Sequence, residues 1–148
     1  MHEYIFGANI IENLTTGMYQ DSKVIYREYI QNACDQIDKA VNEGLLHKGE
    51  GKIEIWLDFG QRTVIIEDNA TGIPSSEFER TLSNVADSDK KLGKDKGFRG
   101  IGRLCGLAYC KELVFTSSVK GENVISIMRC DAATMRQLIN DNSHGKKR

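Results

Sequence analysis

Three short stretches of this chain carry residue types whose spacing could do chemistry. In IIEDNATGIP, Asp68 closes an apolar, β-branched run and Gly72 follows four residues later. An acid at the mouth of a strand can accept a hydrogen bond from a ligand amine, and a nearby glycine lets the backbone approach a flat ring. In KGFRGIGRLCGL, glycines stand at 97, 100, 102 and 106. Glycines leading into a helix free backbone N–H groups to face an anion, where the helix dipole favours negative charge. The third stretch, REYIQNACDQID, holds Glu28, Asn32 and Asp35 at i, i+4 and i+7. At ~100° per residue they fall within roughly 60° of one another, two acids and an amide in one column of a helix.

Each stretch has a plainer alternative. The Glu28 column can be a solvated helix face, Asp68 a turn acid, and the glycines a close contact that admits only small residues. Two common phosphate signatures are absent. GIGRLCG has three residues between its last two glycines and so is not a GxGxxG dinucleotide loop, and no GxxxxGK[ST] sequence occurs.

Regular elements must hold these stretches in place. A helix is expected from about residue 22 to 43, with Tyr26, Ile30, Ala33, Ile37, Ala40 and Val41 on its apolar side, ending where Gly44, Gly49 and Gly51 interrupt it. Before it, residues 5–19 read as an apolar segment with a short helix ending near Gly17. KIEIWLDF and RTVIIEDN form a hairpin pattern, with Gly60 supplying the turn and Val64, Ile65 and Ile66 buried. SSEFERTLSNV begins a helix, with Ser76 and Glu79 at capping-box spacing. Residues 84–99 are polar, charged and glycine-punctuated, the composition of a functional or disordered loop. GIGRLCGLAYC reads as a helix, ELVFTSSV and NVISIMRC as a second hairpin turning at KGEN, and DAATMRQLIND as a closing helix before a basic tail at 142–148. Helices interleaved with antiparallel strand pairs predict an α+β two-layer sandwich in a single domain, residues 1–148.

The bulk composition narrows the function. The chain has 148 residues, 40% hydrophobic and 28% charged, enough for one domain with a core. A net charge of -1 gives no basic field for nucleic acid. No apolar run approaches the ~18 residues of a membrane span, and the N-terminal residues lack a signal-peptide pattern. Cys34, Cys105, Cys110 and Cys130 form no CxxC pair, which disfavours zinc and fits reduced thiols in a cytoplasmic protein.

Taken together and in this order, the three stretches resemble the motifs of the GHKL superfamily of ATPases: the DNA gyrase B, ninety-kilodalton heat-shock chaperone, histidine kinase and MutL group. REYIQNACDQ is similar to the N-box E-x-x-x-N-A-x-D-A, EDNATGI to the first glycine box D-x-G-x-G, and KGFRGIGRLCGL to the second. GFRG and the upstream ADSDK look closest to MutL- and MORC-type members. The resemblance spans about residues 25–119.

It implies the Bergerat fold: a mixed, mostly antiparallel sheet covered by helices on one face, with a flexible ATP lid at about residues 84–99. It implies ATP and Mg²⁺ as cofactors. By similarity Asn32 would hold Mg²⁺ through its amide oxygen, Glu28 would orient and deprotonate the attacking water, and Asp35 would contact the ligand through water. Asp68 would receive the adenine amino group, with Gly72 and Ile73 against the ring. Gly97, Gly100, Ile101 and Gly102 would surround the phosphates, and Lys90 or Lys91 would reach the γ-phosphate. The implied activity is ATP hydrolysis driving conformational change, through a nucleotide-dependent homodimer and downstream domains of a longer chaperone-like or MORC/MutL-like protein.

Two positions depart from the pattern. Ala70 stands where the family carries the first glycine of D-x-G-x-G, so the loop must use a different geometry there or accept some strain. The family's later strands carry a Gly-Thr pair that supports the adenine-binding aspartate, and Thr116 is not an obvious replacement. These departures keep a non-hydrolysing nucleotide-binding or interaction module as the alternative. A histidine-kinase-like catalytic domain is a further one, although His47 and His144 lie in loop or tail contexts.

Overall fold

The computed structural model describes residues 21–83, 102–134 and 137. Helix α1 (Val24–Asn42) has nineteen residues and neither glycine nor proline in its interior. Lys23 provides no side-chain cap; Asp21 instead accepts a hydrogen bond from the Lys23 amide at 3.0 Å through Oδ1. The C-terminus is closed more firmly. Gly44 takes a left-handed φ of 74°, its N–H reaches Val41 O at 3.1 Å, and Leu45 N reaches Ala40 O at 2.9 Å. That pair of bonds is the Schellman arrangement, and it requires a residue that tolerates positive φ at this point.

Strands β1 (Ile53–Asp58) and β2 (Thr63–Asp68) pair antiparallel from Ile53↔Asp68 to Asp58↔Thr63. Their connection differs from the expected glycine turn. Four residues, 59–62, link the strands, Asp58 Oδ1 accepts from Gln61 N at 2.8 Å, and the left-handed residue is Arg62 (φ 53°) rather than Gly60. The expected burial of Val64 and Ile65 is also corrected. They are 44% and 51% exposed, because this two-stranded ladder leans on α1 and carries no second layer among the described residues. Gly51, just before β1, lies flat on α1, where a Cβ would drive into Ile37.

Helix α2 (Ser75–Ser83) begins two residues earlier than the capping-box spacing predicts, so Ser76 lies inside the helix and is not its cap. The glycine-rich stretch returns as a 3-10 helix (Gly102–Ala108) in place of the α-helix expected there. Strands β3 (Glu112–Ser117) and β4 (Ser126–Asp131) then pair antiparallel, and their connection contains Gly121 at φ 94°, as KGEN predicts. Asp131 Oδ1 accepts from Thr134 N at 2.7 Å and caps the helical turn that follows.

The core joins α1, the 3-10 helix and one face of the second hairpin. Val24, Leu104, Cys105, Leu107, Cys130 and Ala132 are buried, with Ile25, Tyr29, Leu113, Phe115 and Met128 packed around them. On the expected apolar side of α1, Ala33 and Ala40 are buried and Ile30, Ile37 and Val41 half-buried; only its edge differs. Tyr26 is 37% exposed, while Tyr29 turns inward. The architecture is α+β, as expected. No helix among the described residues is long and apolar enough to cross a membrane.

Candidate functional site

The inward turn of Tyr29 widens the packed face of α1 toward its polar column. Glu28 and Asn32 are half-buried on the flank of the packed face, whereas Asp35 is exposed and accepts a hydrogen bond from Gln31 Nε2 at 2.9 Å. The column is thus divided: two members border the core, and the third faces water. Among the described residues the side chains of Glu28 and Asn32 make no hydrogen bond or ion pair. The direction of Glu28 is marked by its neighbour Cys105 in the 3-10 helix. Burial pushes that thiol up to about 11, and the nearby Glu28 carboxylate pushes the same way.

Between Glu28 and Asn32, Tyr29 enters the core and makes the contact that joins α1 to the 3-10 helix. Its hydroxyl donates to Arg103 O at 2.7 Å and accepts from Gly106 N at 3.1 Å. Burial, with Cys105 adding to it, drives the phenol above its ordinary pKa, so it holds its proton and can serve as donor and acceptor at once. Gly106 makes room for the ring: a Cβ there would stand 2.9 Å from the Tyr29 hydroxyl oxygen. Arg103 continues the link, donating from Nη1 to Thr81 O at 3.1 Å near the end of α2, and burial lowers its pKa. At Gly106, then, the close-contact reading of the glycines describes the geometry.

The loop after β2 is positioned by side chains. Asn69 extends the first hairpin, accepting from Lys52 N at 2.7 Å and donating to Glu50 O at 2.9 Å. That holds Asp68 at the strand mouth, where it is exposed and Oδ1 accepts from Ala70 N at 3.0 Å. Ala70 consequently keeps a negative φ, and the left-handed residue of the loop is Gly72 (φ 66°). A Cβ on Gly72 would overlap the backbone oxygen of Ser118. Thr71 Oγ1 donates to Gln36 Oε1 of α1 at 3.3 Å, and Ile73 N donates to Ser117 Oγ at 2.7 Å. The hydroxyl that supports this loop from the second hairpin therefore belongs to Ser117, the neighbour of Thr116.

Of the sequence-predicted residues, Glu28, Asn32, Asp68, Gly72, Ile73 and Gly102 lie on elements tied to α1 directly or through these bonds, while Asp35 stands outside the packed flank. Lys90, Gly97, Gly100 and Ile101, with the expected lid, lie outside the described residues. Tyr29, Asn69, Arg103 and Ser117 were not among the expected site residues. Tyr29 sits directly after Glu28 in the N-box stretch, but helix periodicity at fixed ~100° steps does not reveal an inward-turned hydroxyl.

A family model described as histidine kinase-, DNA gyrase B- and HSP90-like ATPase matches residues 19–146, most of the chain. The chain belongs to this ATPase family. Similar proteins include the chaperone protein HtpG of Coxiella burnetii, 31% identical over 84 residues, covering 53% of this chain and 13% of the relative. HtpG of Psychrobacter cryohalolentis is 30% identical over 95 residues, covering 60% of this chain and 14% of the relative. HtpG of Serratia proteamaculans is 34% identical over 80 residues, covering 50% and 13%. The matched region spans only about a seventh or less of these relatives. Helix α1 carries the stretch that resembles the N-box, the 68–73 loop the one that resembles the first glycine box, and the 3-10 helix the end of the one that resembles the second.

Proposed function

We propose that this domain binds Mg-ATP and hydrolyses it, and that the cycle drives conformational change or nucleotide-dependent homodimerisation in a longer, cytoplasmic, chaperone-like or MORC/MutL-like protein. The observation that carries the reading is the pair Glu28 and Asn32: half-buried, one helical turn apart, unpaired among the described residues, and beside the 3-10 helix that ends the glycine-rich stretch. No buried side-chain polar atom among the described residues lacks a partner, so both side chains keep access to solvent, and an acid and an amide standing open beside this stretch fit a site that receives a ligand. Membership of an ATPase family supplies the ligand class.

In this reading Asp68 keeps Oδ1 on Ala70 and offers its other oxygen to the adenine amino group. Gly72 and Ile73 present backbone to the ring, and Gly102, with Gly97 and Gly100, faces the phosphates. Asn32 would hold Mg²⁺ through its amide oxygen, a donor suited to a hard cation, which would supply neutralisation of phosphate charge. Glu28 holds and deprotonates the attacking water. Asp35 acts only through solvent, in keeping with its exposure.

Glu28→Ala tests the assignment. Turnover should fall to background while calorimetry with a non-hydrolysable ATP analogue and Mg²⁺ still registers binding. Turnover that survives the substitution in pure protein refutes Glu28 as base, and no heat from the wild-type chain at millimolar analogue refutes the ATP reading. The non-hydrolysing alternative predicts binding without turnover in the wild type.

A further inference from the structure

We propose that Tyr29 is a positioning residue of the nucleotide site, its hydroxyl fixing the 3-10 helix against the α1 wall that carries Glu28 and Asn32. The inference rests on the ATP reading above and adds a residue to which that reading gives no part.

The geometry is specific. Arg103 O and Gly106 N–H are the i, i+3 partners of one 3-10 turn, and the Tyr29 hydroxyl bonds to both, at 2.7 and 3.1 Å. The hydroxyl is therefore docked on the backbone of the turn, and the ring that bears it is held in the core. Gly106 leaves the space the oxygen needs, since a Cβ there would come within 2.9 Å of it and 3.2 Å of Leu113 Cδ1. Tyr29 follows Glu28 directly and lies three residues before Asn32, so Asn32 is its neighbour on the helix surface. Any slip of the 3-10 helix along α1 changes the spacing between those two side chains and the glycine-rich stretch that ends in this helix. Arg103 anchors the same turn on its other side, through Thr81 O. A phenylalanine would pack the core equally well, so what the hydroxyl adds is register.

Tyr29→Phe in the full chain isolates that contribution. Arg103 O and Gly106 N–H can then pair with each other, so the turn survives while its lock on α1 is lost. Mg-ATP affinity should fall about tenfold, the scale of one hydrogen bond of register, with the affinity for adenosine, which lacks phosphates, unchanged. If Tyr29→Phe does not fold, Gly106→Ala, which keeps the hydroxyl but displaces it, should give the same phosphate-specific loss. Equal ATP affinity in variant and wild type overturns the inference. So does a parallel loss of ATP and adenosine, which would mark general loosening. Wild-type protein that binds no ATP overturns the underlying reading instead, and the two failures are distinguished by the wild-type titration alone.

Discussion

Gly106→Ala sets two effects of similar size against each other, and the structure decides the sign. In a helical segment alanine is favoured over glycine by about 0.5–1 kcal/mol. Opposing this, the new methyl would stand 2.9 Å from the Tyr29 hydroxyl oxygen and 3.2 Å from Leu113 Cδ1. Neither neighbour is a free-swinging surface group: Leu113 is packed on the core and Tyr29 is held by two hydrogen bonds. Overpacking of this kind costs about 1–3 kcal/mol, and lengthening the bond from Gly106 N costs about 1 kcal/mol more. The net is a destabilisation of about 2 kcal/mol, or a melting temperature lower by about 4–8 °C for a chain of this size. The decisive assay is a double-mutant cycle with Tyr29→Phe, read by thermal or urea unfolding. With the hydroxyl gone the 2.9 Å contact disappears while the 3.2 Å contact with Leu113 remains, offset by alanine's helical preference, so Gly106→Ala should then cost at most about 1 kcal/mol, a coupling of about 1–2 kcal/mol. Additive effects, within about 0.5 kcal/mol, would refute the claim that Gly106 exists to admit that hydroxyl. A Gly106→Ala variant more stable than wild type would refute the whole ordering of terms.

At Gly72, alanine should be worse tolerated than at Gly106. The residue has φ 66° and its Cβ would meet the backbone oxygen of Ser118, which cannot rotate away; about 3 kcal/mol is expected, with loss of adenosine binding, and a melting temperature within 2 °C of wild type would refute it. Alkaline pH should also unfold the protein. The Cys105 thiol is raised to about 11 from an ordinary value of 9.0, and Tyr29 and Cys130 shift the same way. A folded pKa above the unfolded one means that this stability is intact below pH 9 and is lost as pH rises toward 11. Melting temperatures at pH 7, 9 and 10.5 should therefore fall only over the last interval, and less steeply for Cys105→Ala; an unchanged slope in that variant refutes the assignment.

How much of this could be read from the sequence depended on the kind of information each feature carries. The N-box and glycine-box stretches are local strings, and the order and spacing of residue types in them sufficed for the family and the α+β class. The strand pairs, the KGEN turn and the end of α1 at Gly44 were legible for the same reason, whereas the first hairpin turns at Arg62 and not at the expected Gly60. Which tyrosine of α1 enters the core was not legible. Tyr26 and Tyr29 are both aromatic, both plausible on a packed face, and about 60° apart on the wheel. What selects Tyr29 is a pair of backbone groups more than seventy residues away in the 3-10 helix, and no periodicity contains them. Ser117 escaped for the same reason. A serine in a strand has no visible purpose until Ile73 N is found 2.7 Å from it.

Ala70 shows the complementary case, in which a departure from a motif marks a change of backbone. If the loop had to pass through a left-handed residue at that position, alanine there would be a source of strain. The carboxylate of Asp68 instead takes the Ala70 N–H and folds the chain over itself, so that the left-handed residue is needed two positions later, at Gly72. That geometry leaves one oxygen of Asp68 engaged by its own loop. Its capacity for a ligand amine is then carried by the other oxygen, and the loop's stiffness is carried by Thr71 on Gln36 and Ile73 on Ser117. A loop held to α1 on one side and to β3 on the other moves with both. If the domain binds ATP as proposed, the same helix bears on the phosphate end of the site through Tyr29 and on the adenine end through Gln36, and a change in its phase would be felt at both.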